Sequence, residues 1–187
     1  MEFKVYHNST TVPYEELSAL IKDAFTQRNK EGLLFSCRNY SAEDIRKHLG
    51  CGYLIVASEN NTAIGMLMMI IKNRHGITYN TFECLAVSPK YSGKGIASQL
   101  YSRMIDLAKE KNSRFIIAST AITAHSSIKV HIKQGFNKFL FVSFPSTNYY
   151  SCCFIYPIKR LRIFNSSFVC TLTYSLSSFY TKLFKKK

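Results

Sequence analysis

The sequence predicts an α/β (α+β) fold in which seven strands and four helices follow one another as β α α β β β α β α β β. Three observations carry this. Apolar runs of strand length are interleaved with segments of helical period, Gly and Asn positions punctuate them, and no segment repeats another, which sets aside solenoids and propellers. At 187 residues the chain is long enough for one globular domain with a substantial core.

Phe3 to Tyr6 reads as a short strand, followed by a helix from Pro13 or Tyr14 with Leu17, Leu20, Ile21 and Ala24 on one face. Gln27 to Tyr40 mixes charged, aromatic and glycine positions and fits no single regular element. Ser41, with Glu43 and Asp44 after it, reads as a capped helix start where carboxylates favour the positive end of the dipole, and that helix stops near Gly50 and Gly52. Tyr53 to Ala57 and Ala63 to Lys72 form an antiparallel hairpin across Asn60 and Asn61, and Thr78 to Val87 is a third strand. A glycine-containing loop leads into a helix with Ile96, Leu100, Met104, Leu107 and Ala108 on one face. Phe115 to Ala118 is a buried strand, and Ser126 to Lys133 is a helix ended by Gly135. Lys138 to Phe144 and Tyr150 to Pro157 close the domain as strands.

Composition narrows the function classes. Hydrophobic residues at 47% and aromatics at 14% exclude a disordered chain, and no stretch approaches 18 consecutive apolar residues. Charge is uneven: 25 Lys and Arg face 11 Asp and Glu, and the last carboxylate side chain is Glu110. A basic second half predicts an anionic partner, which composition alone does not choose among nucleic acid, membrane surface and phosphorylated ligand. No recognisable nucleic-acid reading motif accompanies the charge, so no nucleic-acid partner is expected. The six cysteines show no C-x-x-C spacing and read as small buried hydrophobes in a reducing compartment, with no metal site. The Met-Glu-Phe-Lys start lacks an apolar run with a cleavage site, so the cytoplasm is the expected location.

The loop Ser88-Pro89-Lys90-Tyr91-Ser92-Gly93-Lys94-Gly95 lies between a strand and a helix. That arrangement gathers free backbone N–H groups and the positive end of a helix dipole at one point, where phosphate oxygens bind. Its spacing is neither that of a Walker A loop nor that of the dinucleotide fingerprint. Leu85-Ala86-Val87-Ser88-Pro89-Lys90-Tyr91-Ser92-Gly93-Lys94-Gly95-Ile96-Ala97 closely resembles the acyl-CoA loop of the GNAT (Gcn5-related) N-acetyltransferases, and Lys133-Gln134-Gly135-Phe136 resembles that family's K-x-G-F. The resemblance covers roughly residues 3 to 158.

It implies a GNAT domain over 1–158, with a mixed central sheet flanked by helices, and acetyl-CoA as co-substrate. It further implies that the backbone of Leu85 and Val87 pairs with the pantetheine arm, that the amides of Gly93, Lys94, Gly95, Ile96, Ala97 and Ser98 hold the pyrophosphate, and that Ala86 and Ser92 belong to the same coenzyme site. Two positions depart from the family: Ser92 replaces a long Arg or Gln, and Ala124 stands where many members carry Asn.

Acetyl transfer to an amine requires a neutral amine, a stabilised carbonyl oxygen and a proton for the departing thiolate. Glu83 is the only carboxylate of its strand, and period-2 alternation places it on one face with Leu85 and Val87. The resemblance implies that it takes the amine proton, and that the Val87 N–H polarises the carbonyl. The family commonly loads the thiolate from a Tyr four residues before the glycine of K-x-G-F, a position held here by His131; Tyr91, Tyr149 and Tyr150 are other donors. Arg28, Arg38, Tyr40, His75 and Tyr149 are candidates for recognising the acceptor. These residues imply an N-acetyltransferase acting on a primary amine, of a small molecule such as an amino sugar or of a protein. A GNAT-fold module that binds acyl-CoA without turnover is the alternative.

Residues 159–187 lie outside the resemblance. Leu161, Phe164, Phe168, Leu172, Leu176, Phe179 and Leu183 recur at steps of 3 or 4 and draw an apolar stripe along a helix that ends in Lys185, Lys186 and Lys187. The stripe is expected either to dock on the domain or on a second subunit in a homodimer, or to lie on the inner face of a membrane as a peripheral contact.

Overall fold

A computed structural model describes residues 1–9, 11–145, 147–159 and 167–184. Its elements run β1 (Glu2–Tyr6), α1 (Tyr14–Lys30), α2 (Ala42–Leu49), β2 (Gly52–Glu59), β3 (Thr62–Arg74), β4 (Ile77–Val87), α3 (Ile96–Glu110), β5 (Phe115–Ala121), α4 (His125–Lys133), β6 (Asn137–Ser143), β7 (Tyr150–Pro157) and α5 (Ser167–Phe184). The seven strands form one sheet in the order β1-β2-β3-β4-β5-β7-β6. Pairing is antiparallel throughout except for β4 and β5, which run parallel.

Helices cover both faces of the sheet, which is why β2 and β3 read as near-continuous apolar runs. On one face Leu17, Leu20 and Ile21 of α1 and Ile45 and Leu49 of α2 pack on Leu54, Val56, Met66, Met68, Cys84 and Ala86. On the other, Ile96, Leu100, Tyr101, Met104 and Ala108 of α3 pack on Ile55, Leu67, Met69, Ile116 and Phe154. Each fully buried Leu, Ile or Met contributes about 1.5–3 kcal/mol, so these two layers hold α1 and α3 firmly on either side of β4.

Local signals in the sequence are met in detail. Asn60 and Asn61 adopt positive φ (50° and 63°) in the two-residue turn between β2 and β3. Ser41 Oγ accepts from the Asp44 N–H at 3.1 Å while the Asp44 carboxylate accepts from the Ser41 N–H at 2.9 Å, a reciprocal cap. Phe136 N–H reaches back to the His131 carbonyl past Gly135, closing α4.

Three expectations change. The first part of Gln27 to Tyr40 is helical, because α1 continues to Lys30 before turns take over. Strand alternation fails at Glu83: Met68 faces Cys84 while Met69 faces Phe82, leaving Glu83 as the extra residue of a β-bulge. Phe82, Leu85 and Val87 therefore share the α3 face, and Glu83 does not join them.

The third change concerns the tail, where Leu161 and Phe164 fall outside the described residues. The helix that does form, α5, presents Leu172 and Leu176 to solvent and packs on β6 through a different face. No helix among the described residues is long and apolar enough to cross a membrane.

Candidate active site

The site arises where the only parallel pair among the described residues comes apart. β4 and β5 pair only at Asn80–Ile116 and Thr81–Ile117, and beyond these residues the strands diverge. Between them opens a cavity of about 590 Å³, walled by Phe82, Glu83, Cys84, Leu85 and Val87 of β4 and by Ser119 and Thr120 of β5. The loop 92–98, Tyr101, and Ala124, Ser126, Ser127, Val130 and His131 at α4 complete it.

One end of this cavity is the glycine loop, which can receive an anion. Gly93 and Gly95 hold φ values of 77° and 78°, which L side chains rarely adopt, and a Cβ built on either meets nothing within 4 Å. Gly95 is the N-cap of α3 and has no side chain to cap it; no acid lies in the first turn. The N–H groups of Ile96, Ala97 and Ser98 are therefore available to an outside acceptor, at the positive end of the helix dipole. The loop is braced by Tyr91, whose hydroxyl donates to Glu59 at 2.8 Å, and the Lys94 ammonium lies 4.7 Å from the Tyr91 ring centre. That bond holds the Tyr91 hydroxyl on Glu59.

Ser92, Gly93, Gly95, Ile96, Ala97 and Ser98 all line the cavity, as do Leu85 and Val87. Ala86 and Lys94 do not. The Ala86 side chain is buried toward α1 and α2, and the lysine lies on Tyr91.

The other end is formed by the α1–α2 connection and the segment before β7. Phe25, Phe35 and Tyr149 form a ring cluster with centroids 5.4 and 5.1 Å apart, and Cys37 and Cys84 lie beside it. Asn148 ties the two segments together, accepting from the Leu34 N–H at 3.1 Å and donating to the Gly32 carbonyl at 2.7 Å. Arg28 spans the cleft, donating to Ser126 Oγ at 2.8 Å and to Glu31 at 3.1 Å. Arg38 is turned onto the Phe35 carbonyl, and Tyr40 stacks on His48. His75 sits at positive φ in the β3–β4 turn and is no part of the cavity wall.

The bulge turns Glu83 toward this end. Thr81 Oγ1 donates to its carboxylate at 3.2 Å, and its charge adds to burial in raising the Tyr40 phenol and to Cys37 contact and burial in raising the Cys84 thiol. Burial likewise pushes Tyr149 up to about 12. These groups remain neutral at ordinary pH and leave Glu83 as the one carboxylate on the cavity wall among the described residues.

His131 is built differently from a ready proton donor. It is 1% exposed, stacked on Phe154 at 4.4 Å, and its Nδ1 lies 2.8 Å from the Ser127 carbonyl, which can only accept. Nδ1 therefore carries the ring proton, and Nε2 accepts from the Tyr101 hydroxyl at 2.9 Å. Burial lowers the His131 pKa to about 4, against a smaller opposing effect of the Ser127 bond. The imidazole is neutral near pH 7, with its single proton committed. The proton in this bond belongs to Tyr101, which no sequence signal distinguished from the apolar stripe of α3.

A stability prediction follows from the same shift. Because the folded pKa is depressed below the ordinary value of 6.5, stability is fully present above about pH 6.5 and is lost as pH falls toward 4. The loss amounts to about 3 kcal/mol. Denaturant titrations at pH 7 and pH 4.5 should show this loss in the parent and a clearly smaller one in His131→Gln; equal losses would remove His131 as the cause.

The family model described as "Acetyltransferase (GNAT) family" matches residues 14–136. The chain belongs to the GNAT acetyltransferase family. This GNAT protein is thus an acyltransferase, and its α/β architecture agrees with solved relatives. The NatC complex bound to Gag peptide and CoA matches at 17% identity and TM-score 0.64, covering 85% of this chain and 100% of that one. The ribosomal-protein-S18-alanine N-acetyltransferase from Escherichia coli matches at 13% and 0.65, covering 85% and 96%. An N-acetyltransferase from Staphylococcus aureus Mu50 matches at 19% and 0.63, covering 85% and 100%. No curated protein matches the sequence significantly.

Proposed function

We propose that this GNAT protein transfers an acetyl group from acetyl-CoA to a primary amine by direct attack within the β4–β5 cleft. One observation carries the reading: a single cavity joins the uncapped glycine loop to the Glu83 carboxylate. The loop's N–H groups fit phosphate oxygens without adding charge, and relatives bound to CoA support the same ligand. Acetyl-CoA supplies the activated acetyl group as a thioester. Glu83 accepts the proton of the amine, so that its lone pair is free to attack the carbonyl, and the Val87 N–H polarises that carbonyl.

The departing thiolate takes its proton from Tyr101 rather than from His131. The phenol is loaded at every relevant pH because burial raises its pKa, and His131 Nε2 holds the hydroxyl in place on the cavity wall. Tyr101→Phe should lower kcat at least about tenfold with little change in coenzyme Kd; an unchanged kcat would return the donor role to solvent.

The acceptor end, with Phe25, Phe35, Cys37 and Cys84 around one carboxylate, suits an amine that carries a single positive charge beside an apolar group. Polycations would need several acids there. Release of CoA thiol, measured across peptide N-termini, small amines, amino-sugar nucleotides and polyamines, tests this directly. Turnover highest with apolar peptide N-termini or apolar amines supports the reading, whereas highest turnover with polyamines refutes the acceptor class. Coenzyme binding with no thiol release across the panel would favour a non-catalytic module, the reading consistent with Ser92 and Ala124 in place of the family's longer polar residues.

A further inference from the structure

The last described helix is mounted the wrong way round for a surface helix of a globular domain. α5 covers the edge strand β6 with its polar side: Cys170 and Thr181 are buried, Tyr174 and Ser177 half-buried, and these positions recur at 4, 3 and 4 residues along one face. Phe141 N–H donates to Ser177 Oγ at 2.7 Å, and Thr181 Oγ1 donates to the Phe141 carbonyl at 3.1 Å. The Tyr174 ring meets Phe141 and lies near the Lys138 ammonium. Hydroxyl bonds to an outward-facing strand edge fix this face against the protein.

Leu172 and Leu176, one turn apart on the opposite side, are 50% and 62% exposed, and the sequence continues their spacing with Phe179 and Leu183. An amphipathic helix docked on a core turns such a line inward; here Leu172 and Leu176 are turned away from the domain.

Charge decides what can cover it. Residues 159–187 contain seven Lys and Arg and no acid, and no carboxylate side chain follows Glu110 anywhere in the chain. A second copy would bring the same positive tail against itself, at a cost in repulsion. Nucleic acid would satisfy the charge but offers leucines no apolar phase. An anionic bilayer provides both, with headgroups for the basic residues and acyl chains for the leucines. The helix is about 27 Å long by its 18 residues, yet not apolar enough to cross a membrane, so it would lie in the interface plane.

We propose that α5 is an interfacial helix that seats Leu172 and Leu176 in the acyl region of an anionic membrane surface, with the basic residues of the C-terminal segment on its headgroups. This holds independently of what the cleft acetylates. Co-sedimentation of the full chain with vesicles of phosphatidylcholine alone, and of phosphatidylcholine mixed with phosphatidylglycerol, tests it. The parent should pellet with the mixed vesicles only, and less so in high salt. The double substitution Leu172→Ser with Leu176→Ser should reduce partitioning about tenfold or more, and Lys185→Gln, Lys186→Gln and Lys187→Gln together should reduce it as well. Both leucines are exposed, so the double variant should keep the parent's thermal midpoint, which separates lost binding from lost folding. A parent that stays in the supernatant, or a double variant that pellets as well as the parent, overturns the proposal. So does a dimer in solution that the leucine substitutions dissociate without any vesicle binding, which would assign the stripe to a second copy.

Discussion

Glu83→Gln is expected to lower kcat by roughly 10²–10⁴-fold while leaving the fold and coenzyme affinity close to those of the parent. The carboxylate is half-buried, bonded within the protein to Thr81 alone among its described hydrogen bonds, and lines the cavity together with Phe25, Phe35 and Cys84. An amide of the same shape retains the packing and loses the ability to take a proton. The pH profile separates this role from a structural one. In the parent, Glu83 takes the amine proton inside the cleft, so turnover does not require an amine already neutral in solution. In the variant, the rate should keep rising with pH, about tenfold per unit, until the acceptor amine is neutral in solution. A variant whose rate and profile match the parent would remove Glu83 as the base.

Gly95→Val should all but abolish coenzyme binding at modest cost to stability. Gly95 has φ +78° at the N-cap of α3, and an L residue held there pays on the order of 1–2 kcal/mol. An added side chain meets no protein atom within 4 Å, so the folded protein tolerates it sterically. The same open space is where the proposed reading puts an approaching phosphate. Losing two charge-assisted hydrogen bonds from first-turn amides, at about 1.5–3 kcal/mol each, weakens affinity about 10²-fold or more. Titration calorimetry with CoA and a thermal melt, run on the parent, Gly95→Ala and Gly95→Val, gives both quantities. Affinity falling in parallel with stability, rather than far beyond it, would contradict the cradle.

Much of this was open to sequence reading because it depends on neighbours along the chain. Ser41 and Asp44 cap each other across three residues, and the Asn60–Asn61 turn needs only its own positive φ values. The glycine loop likewise combines a strand end, two glycines and a helix start within about a dozen positions. The apolar runs of β2 and β3 announced a sheet covered on both faces before any partner helix was known.

Other parts could not be read this way because they are set by contacts between segments distant in sequence. Glu83 was placed with Leu85 and Val87 by counting alternate residues, yet a bulge exists only in the register of β4 against β3, where Met68 and Met69 find Cys84 and Phe82. His131 was read as an acid from its place before Gly135. Its proton is committed to Ser127 and its other nitrogen to Tyr101, 30 residues away, under burial that favours the neutral ring. Periodicity drew a leucine stripe along the tail but gave it no direction. The edge of β6, with Phe141 offered to Ser177 and Thr181, selects the hydroxyl face instead.

The sequence by itself determined the order of elements, the family, the phosphate-type loop and the one-sided charge, all properties of short stretches or of composition. The tertiary structure decided where the Glu83 carboxylate points, how the hydrogen bond between Tyr101 and His131 is oriented, and which face of the last helix is left outward. Register, burial and docking are energies of whole surfaces meeting, and no local pattern contains them.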